Sequence, residues 1–260
     1  MARAKLRPVV ITRPLTQADG LARRVQSLGR EAIIFPLLEI HPVSDPAPLQ
    51  TALATLESYA LVAFVSPNAI GAAFAARPDW PKQVPLAVMG EGSRQALAHH
   101  GLTDANARIL RPRDAQRTDS QTLLAELNLP ALNGQKVLIL RGESGRELLA
   151  DALRDAGVDV IQVAAYRRSA VRLDAAGRAR LQALLATDHD WILTSSEAVR
   201  NLVQMVEQVA GPAGLNRIQE QNIIVPHMRI HETAQNAGFL RVKLTASGDD
   251  QLLAALQSNV

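Results

Sequence analysis

Short apolar runs alternate along this chain with stretches whose apolar residues recur at helical spacing, which predicts strands and helices in turn. Val9–Thr12 opens as a strand. Over Gln17–Leu28, the residues Ala18, Leu21, Ala22, Val25 and Leu28 share one helical face, and Gly29 ends the helix. Ala32–Ile40 is apolar and extended but holds Pro36, which has no N–H for a ladder, so it reads as an edge or connecting strand. His41–Pro48, with three prolines, reads as a linker. Strands follow at Leu61–Val65, Leu86–Met89 and Arg108–Leu110. Helices begin at Ser66, Ser93 and Ser120, and the last two run to His100 and Leu127.

The second half keeps this rhythm after the break at Asn133-Gly134. Val137–Leu140 is a strand, and Glu147–Ala156 is a helix that turns Leu148, Leu149, Ala152, Leu153 and Ala156 inward. Val158–Tyr166 is a second long extended segment. Helices Ala175–Leu185, Glu197–Gln208, Ile230–Ala237 and Asp249–Gln257 then alternate with strands Trp191–Thr194, Ile223–Val225 and Arg241–Leu244. This order predicts an α/β fold whose parallel sheets are covered by helices.

The halves echo each other. Val-Val-Ile-Thr-Arg-Pro at 9–14 returns as Val-Leu-Ile-Leu-Arg-Gly at 137–142, which places Arg13 and Arg141 128 residues apart. Phe64–Ile70 returns as Leu193–Val199 and Leu123–Leu127 as Leu252–Leu256, both 129 residues later. Gly101 and Gly238, each closing a helix, are 137 residues apart. A duplicated α/β unit gives two similar lobes, and two lobes enclose a cleft that can hold a ligand.

Composition narrows the function. At 260 residues the chain has room for two domains, and 47% hydrophobic content excludes a disordered protein. Only 3% of residues are aromatic, too few for a base-stacking surface. The absence of cysteine removes disulfides, zinc–thiolate sites and thiol catalysis. A net charge of +3 with no run of five basic residues argues against nucleic acid, yet suits a small polyanion. No apolar run is long enough to span a bilayer. The basic start, Met1 to Pro8, is followed by only three apolar residues before Thr12, too short for a signal-peptide core. A cytoplasmic protein without membrane or nucleic-acid partners is expected.

In open parallel sheets ligands sit beyond the carboxyl ends of the strands. The turns there read Arg13-Pro14, Ser66-Pro67-Asn68, Gly90-Glu91-Gly92-Ser93, Arg141-Gly142-Glu143-Ser144-Gly145, Thr194-Ser195-Ser196 and His227-Met228-Arg229. Hydroxyls, glycines and single arginines dominate, with no carboxylate pair and no metal-ligand cluster. Helix starts of this kind offer free N–H groups and bind anions. Each turn also has a structural reading. Ser66 before Pro67 is a good N-cap, and Ser144-x-x-Glu147 fits a capping box. Arg13 and Arg141 are read either as ligand contacts or as partners of a nearby carboxylate. His99 and His100 suit a helix C-terminus, and His227 lacks the nucleophile a triad needs. Gly90-x-Gly92 lacks the third glycine of a dinucleotide site and any Walker lysine. Tyr166, one of two tyrosines, is read as core packing or as a functional group at the end of the second extended segment.

Taken together these pieces resemble the uroporphyrinogen-III synthase family. They are Thr12-Arg13-Pro14, Val65-Ser66-Pro67-Asn68-Ala69, Gly90-x-x-Ser93, Leu138-Ile139-Leu140-Arg141-Gly142, Tyr166-Arg167-Arg168, Thr194-Ser195-Ser196-x-Ala198-Val199, and His227 to Gly238-Phe239. They cover essentially the full length in the family's order. The resemblance implies two flavodoxin-like α/β lobes joined by two extended connecting strands, with the active site in the cleft between them. One lobe is discontinuous, residues 1–38 and 168–260, and the other is 43–163.

The implied activity is that of a cyclising hydro-lyase of porphyrin and heme biosynthesis. Hydroxymethylbilane, a linear tetrapyrrole, loses water and closes to uroporphyrinogen III with its last ring inverted through a spiro intermediate. The resemblance implies no cofactor and no metal, and a monomer that takes its substrate in a transient handover from the preceding enzyme. Tyr166 is the implied catalytic residue, assisting loss of the hydroxyl. Arg13, Pro14, Ser66, Asn68, Gly90, Ser93, Arg141, Gly142, Ser195, Ser196, His227 and Arg229 are the implied substrate contacts. The chain departs from the pattern at 227–231. Many members read Gly-Pro-Thr-Thr-Ala there and this chain reads His-Met-Arg-Ile-His, so backbone N–H groups or Arg229 take the threonine's place. The competing reading is a noncatalytic two-lobed binder of small polar ligands. The missing signal peptide and scarce aromatics weigh against it.

Overall fold

The computed structural model describes residues 6–113 and 120–258; the basic start at Met1–Lys5 lies outside the described residues. The first half runs β1 (Val9–Ile11), α1 (Leu15–Ser27), β2 (Ala32–Ile34), β3 (Leu38–Pro42), α2 (Ala47–Ala54), β4 (Leu61–Phe64), α3 (Pro67–Ala76), β5 (Leu86–Val88), α4 (Glu91–His99), β6 (Ile109–Leu110) and α5 (Ser120–Leu124). The second runs α6 (Leu129–Leu132), β7 (Lys136–Gly142), α7 (Leu148–Asp155), β8 (Asp159–Ala170), α8 (Ala175–Ala186), β9 (Asp190–Ile192), α9 (Ser196–Gln219), β10 (Asn222–Val225), α10 (Met228–Asn236), β11 (Arg241–Leu244) and α11 (Asp249–Gln257).

The strands form two sheets, ordered β11-β10-β9-β1-β2 and β3-β8-β7-β4-β5-β6. Pairing is parallel throughout the first sheet and from β8 to β6 in the second. Parallel strands are buried on both faces and so read as continuous apolar runs. β1 illustrates this: Val9 and Ile11 pack under α1 and α11, Val10 packs on the opposite face, and none of the three is exposed. β4 repeats the pattern, with Leu61 and Ala63 on one face and Val62 and Phe64 on the other.

Each sheet joins the opening of one half of the repeat to the close of the other. β1 and β2 begin the first half yet lie beside β9, β10 and β11 of the second. β7 and β8 begin the second half yet lie beside β4, β5 and β6 of the first. Read across the sheets, β2-β1-β9-β10-β11 corresponds to β8-β7-β4-β5-β6. The echoed segments 9–14 and 137–142 thus occupy the same central place in their sheets. The chain divides accordingly into two compact units, Met1–Glu39 with Ser169–Val260, and Ile40–Arg168. It passes from one unit to the other inside β3 and again inside β8.

Pro36 explains how the first extended segment is cut. Phe35 and Leu37 still donate to the carbonyls of Ile11 and Thr12, at 2.9 and 3.3 Å, but Pro36 between them has no N–H. The segment therefore ends in one sheet as β2 and restarts in the other as β3. The glycines closing α4 and α10 behave alike: Gly101 and Gly238 have φ of +80° and +87°, which suits a residue without Cβ. The following amides of Leu102 and Phe239 return to Leu97 and Ala234, both at 3.1 Å.

Three elements differ from the sequence pattern. The stretch read as a linker contributes His41 and Pro42 to β3 and the first residues of α2. α6 is a short helix capped by Asn128, whose side chain accepts from the Ala131 amide at 3.3 Å. The helix expected to end at Gln208 resumes after a break at Gly211 (φ +60°) and continues to Gln219. Pro212 suits that restart, because proline is tolerated in a first helical turn.

At the amino ends of the strands in the discontinuous unit lies a buried ion pair. Arg30 reaches Asp190 at 2.7 Å, and both side chains are almost fully buried. Arg30 also donates to the carbonyls of Arg7 at 2.9 Å and Leu256 at 3.3 Å, and Asp190 accepts from Asn222 at 2.8 Å. Breaking a buried pair from one side leaves an uncompensated charge. Arg30→Met is expected to lose about 3–5 kcal/mol of unfolding free energy in urea titrations. Asp250→Asn, which breaks the exposed pair with Arg24, is expected to lose less than about 1 kcal/mol. Equal losses would contradict this account.

Candidate functional site

Parallel connections place the starts of α1, α3, α4, α7, α9, α10 and α11 at the carboxyl edges of their sheets, and the predicted residues gather at these edges in two groups, one in each unit. In the unit Ile40–Arg168 the adjacent strands β7, β4 and β5 lead into Arg141-Gly142, Ser66 and Gly90, and Tyr166 of β8 lies beside Gly142. The register between β7 and β8 slips near this edge. Arg141 faces Ala164 but Gly142 faces Tyr166, so Ala165 is an extra residue in β8. Alternation would send Tyr166 to the face opposite Val163 and Ala165. The slip instead puts all three in one core cluster, a re-aiming that bulges commonly produce.

The Tyr166 ring lies over Gly142. A Cβ placed on Gly142 would stand 3.1 Å from Tyr166 Cζ and 3.3 Å from its hydroxyl oxygen. Tyr166 is only 5% exposed, and its hydroxyl accepts a hydrogen bond from the Ser66 hydroxyl at 3.0 Å. Ser66 is also the N-cap of α3, accepting from the Ala69 amide at 3.3 Å with Pro67 in the first turn. One side chain therefore both caps α3 and holds the Tyr166 hydroxyl. Asn68 sits half-buried in the first turn of α3. Gly90 is the N-cap of α4 and Ser93 is buried in its first turn, where Arg94 grips Glu91 through bonds of 2.7 and 2.6 Å. That contact holds the Glu91 carboxyl below its ordinary pKa.

The two strand-end arginines pair with the protein's own acids. Arg141, 9% exposed, donates to Glu147 and to Gln162, each at 2.5 Å, and Gln162 donates to the other Glu147 oxygen at 2.6 Å. Its repeat partner Arg13 meets Asp249, in the first turn of α11, at 2.7 Å. Ser144 and Glu147 do not form the expected capping box. Glu147 stands at the N-cap of α7 without capping it, because its carboxylate is taken by two stronger donors. The Ser144 carbonyl accepts instead from Arg168 at 3.2 Å.

In the other unit the adjacent strands β10, β9 and β1 end in His227, Ser195-Ser196 and Arg13-Pro14. Thr12 ties β1 to β9, its hydroxyl donating to the Ile192 carbonyl at 2.7 Å. Ser195 caps α9 through the Ala198 amide at 3.0 Å, and Ser196 lies 2.9 Å from the Thr233 hydroxyl of α10. Pro14 stands at the N-cap of α1. His227 caps α10 through Nδ1, which accepts from the Arg229 amide at 3.3 Å, and Arg229 is exposed in that first turn. Imidazole thus does locally what a threonine hydroxyl would do as a cap. Leu15 and Met228, beside the turns of β1 and β10, are exposed at 64% and 53% and were not singled out from the sequence. Among the described residues no group of three or more His, Asp or Glu could hold a metal ion, and no helix is long and apolar enough to cross a membrane.

Comparison with known proteins gives a consistent result. A family model described as uroporphyrinogen-III synthase HemD matches residues 19–248. The uroporphyrinogen-III synthase of Escherichia coli (strain K12) is 32% identical over 257 residues, covering 96% of this chain and 99% of that protein. That of Salmonella typhimurium (strain LT2) is 32% identical over 253 residues, with coverage of 96% and 99%. Among solved structures, uroporphyrinogen-III synthetase from Helicobacter pylori aligns with a TM-score of 0.59 at 17% identity, over 97% of this chain and 100% of that one. A mutant uroporphyrinogen III synthase from the extremely thermophilic bacterium Thermus thermophilus aligns with a TM-score of 0.58 at 17% identity, over 97% of each chain. At such identity the structures speak to the fold alone.

The bonds from Gln162 and Arg141 hold the Glu147 carboxyl below its ordinary pKa. A group whose folded pKa is depressed stabilises the fold above its unfolded pKa, and the contribution is lost as pH falls through the folded value. The urea midpoint of Glu147→Gln is therefore expected to lie below that of the parent at neutral pH. The two midpoints should converge as pH falls through that folded value. A gap that persists there would contradict the pairing.

Proposed function

Since this chain belongs to the uroporphyrinogen-III synthase family, we propose that its carboxyl-edge turns receive the carboxylates of hydroxymethylbilane and that Tyr166 assists the departure of the substrate's hydroxyl. The chain is an enzyme of that type, a lyase that cyclises the linear tetrapyrrole to uroporphyrinogen III. The hydroxymethyl C–O bond breaks as the lone pair of the adjacent ring nitrogen moves in, and the hydroxyl leaves as water with one added proton. Loss of the ring N–H proton gives a neutral azafulvene. The far ring then attacks through its substituted carbon to form the spiro intermediate. The azafulvene nitrogen regains a proton, the old bridge bond of the spiro ring breaks, a new bond forms at the other side of that ring, and the proton on the newly bonded carbon is lost. One water leaves overall, and no electron acceptor takes part.

Without the enzyme the substrate closes to the uninverted isomer, so the task is chiefly positioning. The substrate carries carboxylates on each of its rings. Helix starts at Gly90, Ser195 and His227, with Arg229, are suited to receive them. Tyr166 donates a hydrogen bond to the departing hydroxyl, the kind of help a group near its own proton donor gives in general acid catalysis. This reading includes a cytoplasmic monomer supplied by transient handover from the preceding enzyme. The observation carrying the assignment of Tyr166 is its buried hydroxyl, fixed at the carboxyl edge beside the turns of β4 and β7. No observation favours the noncatalytic alternative.

Purified protein given enzymatically generated hydroxymethylbilane is expected to yield the type III isomer after oxidation and separation. Formation of the type I isomer alone would overturn the reading. Tyr166→Phe is expected to slow turnover at least about tenfold while keeping the urea midpoint. Unchanged turnover at equal stability would leave Tyr166 a packing residue.

A further inference from the structure

We propose that Ser66 and Gly142 are positioning residues, which hold the Tyr166 phenol so that its own proton points to the substrate, and are not receptors for substrate carboxylates. The proposal rests on the catalytic reading of Tyr166 given above.

The geometry begins with distance. Neighbouring strands lie about 4.8 Å apart, so β8 and β4, with β7 between them, are about 10 Å apart. Tyr166 on β8 nevertheless reaches Ser66 at the end of β4. It can do so only by lying flat across β7, and the residue it crosses is Gly142. Gly142 is not among the glycines with left-handed backbone, so its φ does not demand glycine. Space does, since a methyl group there would press on Cζ, Cε2 and the hydroxyl oxygen together at 3.1–3.3 Å. The Glu143 amide donates to the Tyr166 carbonyl at 2.9 Å and fixes the backbone from which the ring projects.

Proton bookkeeping supplies the direction. A serine hydroxyl has one hydrogen to give and lone pairs to receive. Ser66 receives the Ala69 amide and gives its one hydrogen to Tyr166. The phenol accepts that hydrogen and keeps its own. A relay therefore runs from the Ala69 N–H through the Ser66 O–H to the Tyr166 O–H, beginning at the positive end of α3. Each link polarises the next, which makes the last hydroxyl a better donor.

Three substitutions separate this role from capping and from substrate binding. Ser66→Asp retains a good cap for α3, but an ionised carboxylate only accepts and would take the Tyr166 proton for itself. Ser66→Thr keeps the hydroxyl. Gly142→Ala leaves the hydroxyl intact and displaces the ring. The readouts are steady-state kinetics with hydroxymethylbilane, the urea midpoint, and the Cζ resonance of carbon-13 labelled tyrosine. The chain has two tyrosines, so Tyr59→Phe assigns the signals.

Ser66→Thr should match the parent within about twofold. Ser66→Asp should keep its urea midpoint, move the Tyr166 resonance and lower kcat at least about tenfold, with KM changed by less than about twofold. Gly142→Ala should do likewise, and the double variant should lose little more than either single one, as expected when both act through one group. A raised KM at unchanged kcat in Ser66→Asp would make Ser66 a substrate contact and overturn the proposal. An unmoved Tyr166 resonance in that variant would overturn it as well. If the parent protein gave no type III isomer, the catalytic reading would fall, and the resonance alone would still decide whether Ser66 positions the phenol.

Discussion

Parallel pairing at the centre of each sheet, β1 with β9 and β7 with β4, is the constraint on which the rest depends. Parallel neighbours cannot be joined by a tight turn, so each connection crosses over through a helix and returns to the same edge. Helix starts therefore collect at the carboxyl ends of the strands, and the closed ends of the ladders lie opposite. The discontinuous unit divides its labour on this axis. Its amino edge is held by Arg30 and Asp190, a buried pair tied into backbone carbonyls. Its carboxyl edge exposes Arg229, Met228 and Leu15 in the first turns of α10 and α1. One end of the sheet is closed by a buried pair, and the other leaves these three side chains exposed.

That constraint also explains what the sequence makes legible. Strands buried on both faces announce themselves as apolar runs, so β1, β4, β5, β7, β9 and β10 were legible, and the repeat marked β1 and β7 as equivalent. The exchange of openings between the halves was not legible from the echo, because a repeat records likeness and says nothing of which strands pair. Only the family resemblance pointed to it, and Pro36 gave the local reason. The run beyond Gln208 misled for the opposite cause. Gly211-Pro212 reads as an ending, yet one residue at φ +60° lets a second helical stretch begin at once.

At the site, the positions were legible and the partners were not. Sequence placed Arg13 and Arg141 at strand ends but could not choose between ligand and carboxylate. Asp249 lies in the first turn of the last helix, and Gln162 comes from a neighbouring strand. The Tyr166–Ser66 contact was hidden by a single residue. Without the slip at Ala165, alternation would aim Tyr166 at the wrong face, and nothing in Val163-Ala164-Ala165-Tyr166 advertises the slip. Gly142 likewise read as one more turn residue in contact with substrate. Its purpose becomes visible only when a ring is found lying where its side chain would be.

The neutralised arginines fit the chemistry better than free ones would. Hydroxymethylbilane and its cyclic product carry the same carboxylates, so an arginine that grips a carboxylate stabilises substrate, transition state and product nearly alike. Such uniform binding lowers KM without raising kcat, and it slows release. Acceleration must come from contacts whose strength changes as the hydroxyl departs and the last ring turns. Under the proposed function, a phenol fixed by Ser66 and Gly142 is a contact of that kind, since its hydrogen bond strengthens as negative charge gathers on the leaving oxygen. Arg141, held by Glu147 and Gln162 next to that same glycine, then acts on geometry: it stiffens the turn over which the ring lies.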